Sequence, residues 1–289
     1  MKDHHRNGRG ARPQRPVAAP PRGGKPPSTY KITLEYDGSR FSGWQDQQNA
    51  RTVMGELYRA IADANLPFLE LGGAGRTDAG VHALEQVAHL RLSQRFEPVA
   101  IRHALNDRLP AAVTVLDVAH ADPRFHARHD AELRSYVYQL SRRRTAFAKP
   151  YVWWIKSRLE LKAMVAALEY LPGRHDFRQF SIDDPDEKST LVEIEEVELR
   201  EEGELVLLRF AASHFLWRMV RRLVGTLVRV GLGELQPADF RALVDGRPLP
   251  PEKGTPAQST APASGLFLEK VLYPGDPGLP PLRAVTPVF

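Results

Sequence analysis

The chain has 289 residues, with 40 Lys or Arg against 35 Asp or Glu and a formal charge of +5. Its 42% hydrophobic and 26% charged residues suit a folded core, and no apolar run approaches the ~20 residues that cross a bilayer. A soluble globular protein is expected. Cysteine is absent, which excludes disulfides, iron–sulfur clusters, thiolate zinc sites and thiol nucleophiles.

The charge is unevenly placed. Met1–Ser28 carries seven Lys or Arg, one acid, six Pro and four Gly, whereas the remaining residues carry 33 basic and 34 acidic groups. Residues 1–28 therefore read as a disordered basic tail, without an apolar segment of secretory length. Cytoplasmic location is the expectation. A surface for a polyanion must come from segregation of charge within the nearly neutral body.

From Tyr30 to Tyr36 apolar and polar residues alternate, which predicts a half-buried strand. Val53, Leu57, Ala60, Ile61 and Ala64 fall at helical spacing, and Gly72–Gly75 reads as a glycine-rich loop. A strand over 86–92, a helix over 98–109 and a strand over 113–118 follow. The second half repeats the alphabet: a strand over 134–141, a helix over 160–171, and strands over 190–200 and 204–211 joined as a hairpin at Glu201-Glu-Gly203. Glu195-Glu196 interrupts the alternation, so a bulge is expected there. A long helix is predicted over 214–230, a short one after Pro237 and a last strand over 266–273. Residues 246–264, with five Pro, read as a loop, and 274–289 as a Pro-rich extended segment. The order predicts an α+β fold of two similar lobes, 29–125 and 126–289, each with helices on a mostly antiparallel sheet. A basic cleft between them is the expected place for a site.

The densest chemistry is Gly73-Ala-Gly-Arg-Thr-Asp-Ala-Gly-Val-His-Ala83. It lacks the Gly-Lys-Ser/Thr ending of a phosphate-binding P-loop and the full dinucleotide spacing. What remains is Asp78, a carboxylate in a glycine-flanked loop two residues from Arg76. By itself it fits a turn former as well as a reactive group.

The stretch from Gly75 to Ala83 resembles the signature of the tRNA pseudouridine synthase A family. Five further segments resemble that family in the same order: Tyr36–Gln45, Phe125–Arg128 leading into Tyr136-Val-Tyr138, His175–Phe180, Phe215–Arg221 with Gly225, and Thr260–Leu266. The resemblance covers about residues 30–274. It implies Asp78 as nucleophile, Arg221 as the charge partner of that carboxylate, and Arg76 as the arginine beside it on the flipped nucleotide. It also implies Tyr136 and Leu266 as the base pocket, with Arg218 and Arg222 as further substrate contacts. The implied activity is isomerisation of uridine to pseudouridine at positions 38–40 of the tRNA anticodon arm, by a homodimer using no metal or cofactor. Such a reaction extrudes the base and breaks the N1–C1′ bond. The carboxylate then attacks C1′ or opens a glycal route, and an adjacent arginine favours its ionised form. Arg218 stands where members often carry His, Arg222 where Asn is frequent and Met54 where Gln is common.

Three readings from the residues bear on the same partner. On a helix, Arg218, Arg221, Arg222 and Arg229 share one arc opposite Met219, Val220, Leu223, Val224, Leu227 and Val228, an all-basic face suited to phosphates. Residues 134–154 carry five Lys or Arg, six aromatics and no acid; Arg142–Arg144 and Lys149 suit phosphates, while the two Trp suit a core. The acid-rich stretch 182–205 should face away from RNA. His120, His126 and His129 lack the spacing of a metal site, and His82 is expected to brace the signature loop.

Overall fold

Alternation buries Tyr30, Ile32, Leu34 and Tyr36 on one side of β1 (Ser28–Tyr36), as period-two patterning requires. The computed structural model describes residues 27–182 and 189–288. The tail reading, but for its last two residues, lies outside them, as do positions 183–188 of the acid-rich stretch.

α1 (Val53–Asp63) starts where Thr52 accepts a hydrogen bond from Gly55 N, 3.1 Å away, an N-cap. β2 (Phe68–Gly73) and β3 (His82–Leu92) follow, then α2 (Pro98–Asn106) and β4 (Val113–Ala121). β5 (Leu133–Ser141), the two-residue β6 (Trp153–Trp154), α3 (Leu161–Leu168) and β7 (Gly173–Asp176) open the second half. β8 (Leu191–Glu202), β9 (Leu205–Ala212), α4 (Met219–Gly231), α5 (Pro237–Val244) and β10 (Leu266–Leu272) complete it.

The strands form one ten-stranded sheet in the order β4-β1-β3-β10-β5-β9-β8-β7, with β2 also on β3 and β6 on β5. Pairing is antiparallel except for β10 on β3 and β6 on β5. Residue 125 lies between β4 and β5, and the sheet runs on through both halves because β10 inserts between β3 and β5. The β8–β9 register shifts between Ile194 and Glu196, the expected bulge.

Side chains of β5 divide between two layers. Tyr136, Tyr138 and Leu140 join the main core. Val137 instead joins a small cluster with Ala148, Val152, Leu205, Leu207, Leu282 and Val288. The C-terminal segment is thus a strap: Val285 N donates to Gln139 Oε1 (2.7 Å), and Arg209 donates to Pro280 O (2.7 Å). Arg209 also holds Glu269 at 2.7 Å.

Two expected elements need correction. Gly72-Gly73 ends a strand rather than opening a loop, because β2 runs under two rings. A Cβ on Gly73 would lie 2.5 Å from Trp44, and one on Gly72 2.4 Å from a His89 carbon. The long helix starts at Met219, not at 214. Arg218 precedes it in the left-handed region at φ 62°, a conformation that ends helical continuity for an L-residue.

Candidate active site

Asp78 lies in the loop between β2 and β3, and that loop is tied on several sides. Gln86 Nε2 donates to Gly75 O at 3.0 Å, and Arg134 donates to Ala74 O at 3.2 Å. Trp44 N donates to Thr77 O at 3.1 Å, and Gly80 N to Phe41 O at 3.2 Å. Tyr36 and Thr77 share a hydroxyl–hydroxyl bond of 2.8 Å. Burial pushes the Tyr36 phenol up to about 12, against the Thr77 and Gln86 hydrogen bonds that pull it down. The loop that follows β1 therefore wraps the signature loop and holds its backbone, which leaves the Asp78 carboxylate as the side chain presented.

Arg221 reaches that carboxylate from the other half of the chain. Its Nη1 donates to Asp78 Oδ2 at 3.0 Å, and the two side chains are only 15% and 19% exposed. Among the described residues Asp78 Oδ1 accepts no hydrogen bond. Arg221 is itself aimed: its Nε donates to Ala261 O at 2.7 Å, while Ala261 N returns a bond to Arg221 O at 3.0 Å. This close seating of α4 on residues 259–261 requires Gly225, since a Cβ there would stand 1.4 Å from Ser259 O. A charge-assisted bond with limited water access is the stronger kind.

Tyr136 closes the floor. Its hydroxyl lies 4.0 Å from the position a Cβ would take on Gly75, and Phe215 meets its ring edge-on at 5.0 Å. Burial raises its phenol, and the charges of Tyr36 and Asp78 add to the rise, so the hydroxyl stays protonated. Leu266, at the start of β10, is buried two residues from Leu268, the cross-strand partner of Tyr136. A carboxylate with one oxygen held by Arg221, close to a buried tyrosine, is placed to attack or deprotonate a sugar.

Residues 32–130 and 167–274 match the model of the family described as tRNA pseudouridine synthase. The chain belongs to the tRNA pseudouridine synthase family. It is 39% identical over 249 residues to the tRNA pseudouridine synthase A of Maricaulis maris, covering 85% of this chain and 98% of that one. Identity to the synthase of Methylobacterium nodulans is 41%, covering 85% and 96%, and to the tRNA pseudouridine synthase A 2 of Bacillus cereus 34%, covering 85% and 100%. Membership makes it an isomerase.

Within this synthase fold, the basic face expected of α4 is largely turned inward. Arg221 holds Asp78. Arg222 donates to Ser181 O, has a buried Nε without a partner among the described residues, and is held below the usual arginine range by burial and by Arg218. Arg229 pairs with Glu234 at 3.0 Å. Arg218 is exposed beside Trp217, its guanidinium 5.8 Å from that ring. Arg76 is exposed on the loop two residues before Asp78. Arg134, counted by sequence with the basic surface, is buried and donates to Ala74, Arg128, Ala131 and Ser213 carbonyls. It is a clamp on the signature loop, and four carbonyls explain why a buried guanidinium is tolerated there.

Sequence reasoning missed Thr77, Gln86, Phe215 and Trp217, which touch or flank the site. Thr77, Phe215 and Trp217 stand inside motifs already singled out, though no role was assigned to them, and Gln86 had no signal. His82, expected to brace the signature loop, instead ties the loop after β1 to the one after β5: its Nε2 donates to Pro150 O at 3.0 Å. Its Nδ1 lies 3.1 Å from both Gly38 N and Asp37 Oδ1. Burial favours the neutral ring against the pull of Asp37, so Nδ1 accepts from Gly38.

The histidines show one grouping that could suggest a metal, Glu70 with His89 and His126. His89 Nδ1 accepts from Ala127 N and His126 Nδ1 from Arg128 N, each at 3.2 Å. Each neutral ring therefore carries its proton on Nε2, and Glu70 is held by Arg91 at 2.6 Å. In this structure these groups hydrogen-bond to one another and to the backbone. His120 lies apart, against Tyr30 at 5.1 Å. A cavity of about 250 Å³ lined by Asp37, His82, Tyr151 and Phe267 contains none of the candidate residues. Among the described residues no helix is long and apolar enough to cross a membrane.

Proposed function

We propose that this chain converts uridine to pseudouridine at positions 38–40 of the tRNA anticodon arm, in the cytoplasm and as a homodimer, with Asp78 as its essential carboxylate. The observation that carries the reading is the 3.0 Å Asp78–Arg221 pair, made by residues 143 positions apart and set above Tyr136. The family match supports the reaction type, and the names of the relatives support tRNA as substrate.

The chemistry follows from the side chains. Arg76 and Arg218 at the mouth attract the backbone of the arm, and the target base leaves its stack at a cost of a few kcal/mol. The base lies on Tyr136 and Leu266; stacking on an aromatic returns about 1–3 kcal/mol. Arg221 holds Asp78 through Oδ2, while Oδ1 attacks C1′ or, in the glycal route, a sugar proton passes to the carboxylate. The N1–C1′ bond breaks and the uracil turns; C5 then joins C1′ as the Asp78–C1′ ester bond breaks or, in the glycal route, as the sugar proton is returned, and the proton lost from C5 is matched by one gained at N1. The reaction rearranges existing bonds within one nucleotide, so no co-reactant enters the balance.

The test is nucleoside chromatography of unmodified tRNA bearing uridines at 38–40, after incubation with wild type and with Asp78→Ala. Pseudouridine is expected from wild type, and a loss on the order of 10⁴-fold from the variant, which should still bind. Equal product from both would remove Asp78 from the chemistry. Free uracil would instead indicate a hydrolase.

A further inference from the structure

A second feature suited to RNA stands at the same end of the sheet as Asp78. His82 is level with Phe267 across the parallel β3–β10 pair, and Leu266 is level with Tyr138 across the antiparallel β10–β5 pair. The loop entering β3, which carries Asp78, and the loop leaving β5 therefore meet at one end. The chain path from Asp78 through the His82–Pro150 bond to Phe147 limits their separation to under about 40 Å.

The loop after β5 is anchored on both sides of residue 147. Ser141 Oγ donates to Arg143 O at 2.6 Å, and Ala148 N donates to Thr145 Oγ1 at 3.2 Å. Ala148 and Val152 are buried against Val137, Leu205 and Leu207. Beyond them Pro150 accepts from His82, and Tyr151 donates to Asp37 at 3.1 Å. On this pedestal Phe147 is 96% exposed, the largest exposure of any large apolar side chain among the described residues. Anchoring at Thr145 and Ala148 keeps the ring from folding down onto the body. Nearby, Arg144 lies over the half-exposed Trp154, 5.8 Å from its ring, and Lys149 is exposed. Residues 142–158 hold six Lys or Arg and no acid.

We propose that Phe147 stacks on an unpaired nucleobase of the tRNA outside the Asp78 pocket, with Arg144 and Lys149 on the adjoining phosphates. The inference rests on the tRNA reading above. A bare aromatic flanked by cations matches a single-stranded nucleic acid, whose bases stack while its phosphates pair with charge. A docking protein is matched instead by a continuous apolar patch, whereas here the bare Phe147 ring and the half-exposed Trp154 are set among cations. The loop would then grip nucleotides beyond the one being isomerised.

The experiment compares full-length wild type, Phe147→Ala, Phe147→Tyr and Lys149→Ala. Binding to unmodified tRNA is measured across a salt series, with pseudouridine formation and sedimentation in parallel. Phe147→Ala is expected to raise Kd roughly 5- to 100-fold without changing the slope of log K against log salt. Phe147→Tyr should keep wild-type affinity. Lys149→Ala should lower the slope by about one. An unchanged Kd for Phe147→Ala overturns the proposal while wild type still modifies tRNA, which leaves the functional reading intact. Conversion of an oligomer to monomer by Phe147→Ala also overturns it, by giving the ring to a contact between two copies. A wild type that neither binds nor modifies tRNA removes the functional reading, and this inference falls with it.

Discussion

Helix α4 and the loop that follows β5 carry nearly the same number of arginines and look alike as sequence, yet the fold uses them in opposite ways. On α4, Arg221, Arg222 and Arg229 meet Asp78, Ser181 O and Glu234. On the loop, Arg142 pairs with Glu201, whereas Arg144 covers Trp154 and Lys149 stands in solvent beside a bare Phe147. The difference lies in what each segment packs against. α4 is seated on residues 259–261 and beside the signature loop, so its polar side faces carbonyls and a carboxylate. The loop has apolar anchors at Ala148 and Val152, so Arg144 and Lys149 stay exposed to water and to a ligand.

The comparison can be broken most sharply at Arg221. Arg221→Lys keeps the charge but loses the two-pronged grip on Asp78 Oδ2 and Ala261 O. We expect kcat/KM for pseudouridine formation to fall on the order of 10²-fold, with tRNA affinity little changed. Activity equal to wild type would mean that the arginines of α4 do no chemical work.

A second contrast sets Arg222→Met against Lys149→Ala. The first should lower unfolding free energy by about 1–2 kcal/mol in a urea titration, because it removes the partner of Ser181 O, and leave the salt slope of tRNA binding as it was. The second should leave the urea midpoint alone and reduce that slope. A reduced slope for Arg222→Met would return α4 to the RNA surface.

The smallest effect concerns His82, His89 and His126, of which His82 holds the loop after β5 through Pro150 O. Burial lowers the pKa of His82, His89 and His126 from 6.5. The unfolded chain then takes up protons that the fold resists, so this stability is complete above about pH 6.5 and is lost as pH falls below it. The urea midpoint should drop between pH 7.5 and 5.5. His82→Gln should flatten part of that drop. A midpoint that rises on acidification would show that these rings are charged in the fold.

Much of the fold was legible because periodicity is local. The alternation in β1, the β8–β9 hairpin and the bulge at Glu195 needed only neighbours in the chain. β2 was hidden, since Gly72 and Gly73 look like loop residues until Trp44 and His89 are seen lying against them. The expected start of α4 lay too early because the basic and apolar periods extend back to Arg218, whereas the backbone at Arg218 is left-handed, which spacing does not reveal. The strap over Val137 and Gln139 was invisible for the same reason: its apolar anchors, Leu282 and Val288, are isolated residues without a period.

The same division runs through the site. The sequence by itself determined that Asp78 stands in a glycine-flanked loop, that the chain resembles the tRNA pseudouridine synthases, and that Arg221 belongs to a strongly basic helix. Those are properties of short segments, carried by residue type and spacing. The folded arrangement alone selects which arginine meets Asp78, makes Arg134 a clamp on the signature loop and leaves Phe147 bare. A charge or a ring acquires its role from the groups opposite it, and those lie tens to over a hundred residues away along the chain.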